Sequence, residues 1–275
     1  MPPSDSSDSR RTVAASVRRW YDQHGWRRDE ATGLYRDTAT FSGAGSRSAG
    51  AAYYEAGSYE RLNDRFPGGR YFLDAACGAL AHREYLPWSA AYDARICVDI
   101  SSLALSEARA KLGPHGCYVQ ANVVELPLAD GSIDGGLSAY TVQHVNADDQ
   151  LPVLREFVRV LSPGSTFVII SGVEPAIRGF LYRALRGLLR RFTYKNKSQV
   201  TDLYYFPRTP EWWRSRFAEL GIAAEVQTMR LLRPNEYRLL FGSAIWPAKL
   251  LHAIEKRLPK ATLLLAASAV ITLRK

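Results

Sequence analysis

Cysteine is scarce in this chain: Cys77, Cys97 and Cys117 are the only three in 275 residues. Their spacing allows neither a CxxC metal site nor a disulfide framework, so a reduced, cytoplasmic setting is the expectation. HxH, HExxH and acidic-triad patterns are missing too, which leaves metal-assisted chemistry without a ligand set. Long hydrophobic runs are also lacking. The longest uncharged apolar stretch covers 13 residues, 261–273, against the roughly 20 that a spanning helix needs. The opening MPPSDSSDSRR has no apolar core of a secretory signal, and residues 1–12 read as a disordered tail. Acidic side chains are the minority charge, 27 against 36 basic ones, for a net charge of +9. That balance favours anionic partners without naming one.

What is present is enough for a proper core, since 47% of the residues are hydrophobic and 23% charged; a mostly disordered chain is excluded. Short β-rich runs alternate with helical patterns between about 71 and 171, the signature of βαβ units and a doubly wound parallel sheet. The predicted strands are YFLDAA (71–76), RICVD (95–99), CYVQA (117–121), IDGGLSA (133–139) and TFVIIS (166–171). Helices are expected over 102–112 and 149–161, closed by Gly113-Pro114 and Pro163-Gly164. Ahead of this core, helices are predicted over 13–24 and about 51–65, joined by the connector FSGAGSRSAG. Behind it, Thr209-Pro210-Glu211 supplies an N-cap, a first-position proline and a first-turn acid. Strands at 222–228 and 262–273, with a helix near 246–257, complete the chain.

The chemistry gathers at one edge of that sheet. The first strand ends in LDAACGALAH (73–82), with Asp74 four positions before Gly78. The second ends in VDIS (98–101), with Asp99 21 residues after Gly78, about the separation at which an acid meets a ribose diol. Asn122 follows the third strand, and SAYTVQHV (138–145) leaves the fourth.

In these residues, together with LPLADGSIDGG (126–136) and RVLSPGS (159–165), the chain resembles the class I S-adenosylmethionine-dependent methyltransferases of the type 11 kind. The resemblance implies a seven-stranded Rossmann-like α/β sheet over 71–275 with its last strands antiparallel. It also implies an N-terminal helical lid over 13–70 and a helical cap inserted at about 175–208. By similarity, Asp74, Ala76 and Gly78 shape the pocket for the methionine part of S-adenosylmethionine. Asp99 with Ile100 holds the ribose, Asn122 with Val123 meets the adenine, and Ala139 closes the set. The family loop reads DxGxGxG, whereas Ala76 and Leu80 stand here at the outer glycine positions. Asn122 stands where Asp is usual. YDQHGW (21–26), ALAHREYL (79–86) and YYFPRTPEWWRSRF (204–217) extend the likeness to a subgroup.

The acceptor is expected to be a small molecule methylated on a hydroxyl: a metabolite, glycan or lipid-linked intermediate. Such a reaction needs a base within hydrogen-bond reach. His144 is the candidate by position, with Tyr140, Tyr21 and His24 beside it and His82 as a further pocket residue. SAYTVQHV lacks the NPPY-type sequence of enzymes that methylate base amino groups, so nucleic acid is not favoured. Residues 177–197 hold seven basic and no acidic side chains at helical spacing. They are read either as a peripheral membrane contact or as a lid helix with its arginines in solvent. A noncatalytic protein that keeps the fold and an RNA methyltransferase are the alternative functions.

Overall fold

The computed structural model describes residues 6–30, 32–43, 45, 47–175, 177, 179 and 203–275, with 6–11 as backbone only. Apart from Ile177 and Gly179, the basic stretch 177–197 lies outside the described residues.

Seven strands form the sheet: β1 (Gly69–Ala75), β2 (Tyr92–Asp99), β3 (Gly116–Gln120), β4 (Ile133–Ala139), β5 (Leu161–Gly172), β6 (Ala223–Arg230) and β7 (Ser268–Arg274). Their order is β3-β2-β1-β4-β5-β7-β6. β1 to β5 run parallel, and β7 pairs antiparallel with both β5 and β6. Successive side chains of a strand point to opposite faces, and β1 shows the result. Leu73 and Ala75 enter one core with Val153, Phe157 and Trp213, whereas Phe72 enters another with Tyr59, Trp88 and Leu137. Asp74 shares the face of Phe72.

The helices covering the sheet follow their sequence signals. α4 (Ser102–Leu112) starts where Ser101 Oγ accepts from the backbone N–H of Ala104 at 3.0 Å, and it ends at Gly113 with φ 60°. α5 (Gln150–Val160) buries Gln150, Val153, Leu154, Phe157 and Val160, the one-sided stripe of an amphipathic helix. α6 (Pro210–Glu219) is capped by Thr209, whose side chain accepts from Trp212 N. Such a cap contributes about 1 kcal/mol.

The N-terminal region comprises α1 (Ser6–Trp20), a π-helical turn at Tyr21–Gly25, α2 (Arg36–Phe41) and α3 (Ala49–Glu60). The first helix thus begins seven residues before the expected 13, within the stretch read as a tail; its serines and aspartate supply ordinary N-terminal residues. Near the C-terminus, α7 (Pro234–Phe241) and α8 (Trp246–Arg257) pack on α3 through Tyr237, Ala248, Ala51 and Tyr54. The expected strand at 262–273 begins only at Ser268, because Thr262–Leu265 form a 3-10 turn. Among the described residues, no helix is long and apolar enough to cross a membrane.

Candidate active site

The sheet order reverses between β1 and β4, so the segments leaving their carboxyl ends open a crevice between them. The turn after β1 lies in it with an unusual backbone. Ala76, Gly78 and Leu80 all have positive φ, of 59°, 56° and 46°. The two outer glycines of the loop are therefore replaced without loss of the left-handed conformation they favour, which strains the alanine and the leucine. Gly78 cannot be replaced so simply, because a Cβ there would stand 2.5 Å from the Trp26 ring. Leu80 does not plug the crevice; it is buried with Cys97, Leu105 and Ala108 below the loop.

Asp99, at the end of β2, joins loop to strand. Its Oδ2 accepts from Gly78 N at 2.8 Å and its Oδ1 from Ser101 N at 2.8 Å. Burial pushes its carboxyl up to about 6, against those two hydrogen bonds. Asp74 proves less free than the sequence suggests. Arg95, fully buried on β2, donates to Asp74 Oδ2 from Nε at 3.0 Å and from Nη2 at 2.5 Å. Burial still raises the Asp74 carboxyl, with Arg95 opposing. Asn122 Oδ1 accepts from Val124 N at 3.2 Å, which forms the turn after β3.

From the other side, the N-terminal region covers the crevice. The Trp26 ring lies against Gly78 and stacks on Tyr21 with centroids 4.9 Å apart. Ser101 Oγ donates to Asp22, and Tyr35 Oη donates to Glu107 on α4, and both bonds tie this region to the domain beside the crevice. Tyr21 meets the His144 ring edge-on at 6.2 Å; His24 stacks with Trp20 at 6.1 Å. His144 Nδ1 lies 2.7 Å from the Tyr204 carbonyl, which makes Nδ1 the donor. Its Nε2 is 3.5 Å from the Gln143 amide, too long to engage the lone pair firmly. Burial lowers the His144 pKa, the Tyr204 carbonyl opposing, so the ring is neutral at pH 7.

A further polar wall was not legible in the sequence. Arg230, on β6, sets Nη1 2.7 Å from Glu55 Oε1 and donates from Nη2 to the Tyr140 hydroxyl. Arg230 and Glu55 are each 5% exposed. Burial pushes the Glu55 carboxyl up, but Arg230 and His82 outweigh it and the net direction is down. Arg230 lies over the Tyr59 ring at 5.3 Å, and His82 tilts against Tyr59 and Tyr85 at 5.8 and 5.2 Å. Tyr140, in the left-handed region at φ 55°, is held by its bond to Arg230. Asp37 on α2 is the second missed carboxylate: burial raises it to about 6, and His82 opposes this.

One cavity of about 1630 Å³ collects these groups. Asp74, Ala76, Gly78, Asp99, Ile100, Asn122, Val123, Ala139, Tyr140, His144, Tyr21 and His24 all line it, as do Asp37, Glu55 and Arg230. The volume exceeds the 300–1,000 Å³ typical of a single small ligand, which leaves room for a nucleotide cofactor and an acceptor together. Among the described residues, no group of three or more His, Cys, Asp and Glu side chains could hold a metal ion.

Fold, switch point and strand-end acid are those of an open α/β domain whose crevice suits a nucleotide. Residues 73–169, from β1 to β5, match the family described as Methyltransferase domain. No curated protein matches the chain. Solved structures do. The DhpI–SAH complex is 14% identical, covering 95% of this chain and 96% of that one, with a TM-score of 0.59. Geranyl diphosphate methyltransferase in complex with GPP and sinefungin is 13% identical, covering 97% and 98%, with a TM-score of 0.56. A SAM dependent methyltransferase from Archaeoglobus fulgidus is 16% identical, covering 80% and 92%, with a TM-score of 0.54. Residues 73–169 thus carry a methyltransferase domain, and the chain as a whole shares the fold of these solved methyltransferase structures.

Proposed function

We propose that this enzyme methylates a hydroxyl of a small-molecule acceptor, drawn from metabolites, glycans or lipid-linked intermediates. The observation that carries the reading is His144: a neutral imidazole on the cavity wall, with Nδ1 committed to the Tyr204 carbonyl and the Nε2 lone pair left for a proton. An alcohol must lose its proton as its oxygen forms the new bond, and His144 Nε2 is the group that takes it.

Bound S-adenosylmethionine supplies an electrophilic methyl group on a sulfonium. Two observations fit that group to this chain. Asp99 is a buried carboxylate whose two oxygens each retain a lone pair beyond their single backbone bond, suited to a ribose diol. The indole Nε1 of Trp26 is buried at the cavity without a hydrogen-bond partner. In this reading Asp99 and Ile100 hold the ribose, and Asn122 and Val123 the adenine. Asp74, Ala76, Gly78 and Ala139 shape the remainder, and Tyr21, His24 and Tyr140 orient the acceptor and exclude water. Residues 13–70 act as the lid over 71–275, and the enzyme works in the cytoplasm with peripheral membrane contact.

Product formation from labelled S-adenosylmethionine over matched alcohol, amine and carbon acceptors tests the assignment. Turnover on alcohols, with a pH profile that rises through a pKa below 6.5, is the expected result. Turnover confined to amines or carbon acceptors overturns the hydroxyl assignment.

A further inference from the structure

The hairpin of α7 and α8 has two unlike faces. Its inner face is seated on α3 through Tyr237 and Ala248. Its tip presents Leu239, Leu240, Ile245, Trp246 and Leu250 at 56, 62, 41, 68 and 53% exposure. These five exposed positions span the end of α7, the turn, and the start of α8, so they are grouped around the corner where α7 passes into α8. Scattered single exposed leucines are ordinary, but five large apolar side chains grouped at a tip mark a docking surface.

The charge around that tip selects the partner. No acidic residue occurs between Glu236 and Glu255, while Arg238 and Lys249 lie at the tip and Lys256 and Arg257 follow. Both Arg238 and Lys249 are exposed. An apolar wedge with tryptophan at its centre and a basic rim suits the headgroup boundary of an anionic bilayer, where tryptophan is favoured and cations meet lipid phosphate. Position adds an independent argument. Pro234, Asn235, Glu236 and Arg238, in the first turns of the same α7, line the catalytic cavity. A tip seated in lipid therefore turns this rim of the cavity toward the membrane.

We infer that the tip of the α7–α8 hairpin docks the enzyme on an anionic lipid surface and that amphiphilic acceptors enter the cavity from there. The docking stands on the surface itself, whereas the acceptor class rests on the methyltransfer reading above.

The full chain, co-sedimented with vesicles of phosphatidylcholine alone or mixed with phosphatidylglycerol, provides the test. Binding to the anionic vesicles is expected, and the double variant Leu240→Glu/Trp246→Glu lowers the partition coefficient by at least about tenfold. Calorimetric binding of S-adenosylhomocysteine and the thermal midpoint stay unchanged in that variant, which separates failed docking from failed folding or a lost cofactor site. A wild-type chain that ignores anionic vesicles overturns the inference. So does a variant that binds them equally well, which moves the contact elsewhere in the chain. A wild-type dimer in light scattering that the variant dissolves assigns the tip to self-association instead. If docking holds while turnover is found only on water-soluble acceptors, the amphiphile clause fails alone.

Discussion

The carboxylate of Asp99 accepts from the backbone N–H of Gly78 at 2.8 Å, which ties the end of β2 to the turn after β1. One side chain thus shapes the glycine turn and, in the proposed role, meets the ribose. Asp99→Ala removes both. We expect its affinity for S-adenosylhomocysteine to fall by about 1.5–3 kcal/mol, the range for hydrogen bonds to a charged group. Calorimetry reads this directly, and an undiminished affinity would remove Asp99 from the site.

Ala76 and Leu80 occupy left-handed backbone at φ 59° and 46°, yet glycine should affect them in opposite ways. At Ala76, Ala→Gly relieves roughly 1–2 kcal/mol of strain against a backbone-entropy loss of about 0.4–1 kcal/mol. A small net gain in stability is expected. At Leu80 the same relief is outweighed, because its side chain is only 2% exposed and truncating a buried leucine costs about 2–5 kcal/mol. Leu80→Gly should therefore destabilise. Denaturant unfolding of the two variants checks the sign, and a shared sign would contradict the argument.

The parallel core was legible because its signals are local. Ser101 and Gly113 bracket α4 and Thr209 caps α6 as ordinary stop and start residues, and the strand runs are apolar on both faces. The cavity lining from Asp74 to His144 could be read for the same reason: each residue follows a strand end whose direction the βαβ rule sets. Arg95 on Asp74, and Arg230 on Glu55, were not legible. The first pair is 21 residues apart and the second 175, and no periodicity connects them. Asp37 was hidden because six-residue α2 is too short for a helical pattern. The run at 262–273 misled because alternating and helical apolar patterns cannot be told apart over so few residues.

His144 separates chemistry from binding. Its ring is proposed to take the acceptor proton and makes its defined hydrogen bond to Tyr204, so His144→Ala should leave cofactor affinity nearly unchanged. The turnover number should fall by about 10²- to 10⁴-fold. In the wild type, turnover should rise with pH through a pKa below 6.5, since burial lowers that of His144. Stopped-time assays from pH 5 to 8 check both points, and a variant with wild-type turnover would move the base elsewhere.

Asp37 should make the protein less stable as pH rises. Its carboxyl titrates at about 6 in the folded chain against an ordinary 3.8, so between these values the folded state holds more protons than the unfolded one. Stability attributed to this group is full below about pH 4 and lost as pH passes 6, by on the order of 3 kcal/mol. Asp37→Asn should cancel this loss and raise the thermal midpoint at pH 7. Melts at pH 4 and pH 7 measure the difference, and a variant equal to wild type at both would show that the carboxylate is better solvated than its position implies.

Glu55 and Arg230 offer the sharpest separation of stability from function. Both are nine-tenths or more buried, 2.7 Å apart. Removing only one partner leaves an uncompensated charge, so Glu55→Ala should cost roughly 3–5 kcal/mol. Replacing both with apolar side chains, as in Glu55→Leu/Arg230→Met, avoids that charge and should recover most of the loss, since a buried pair contributes little net stability over a packed apolar one. The double variant would still lack the hydrogen bond from Arg230 to Tyr140, which holds that strained residue at the cavity. We therefore expect near-normal unfolding in denaturant together with impaired methyl transfer. If the double variant is as unstable as Glu55→Ala, the pair is structural in a way that charge burial does not explain; if it turns over normally, the Arg230 wall lies outside the acceptor's reach.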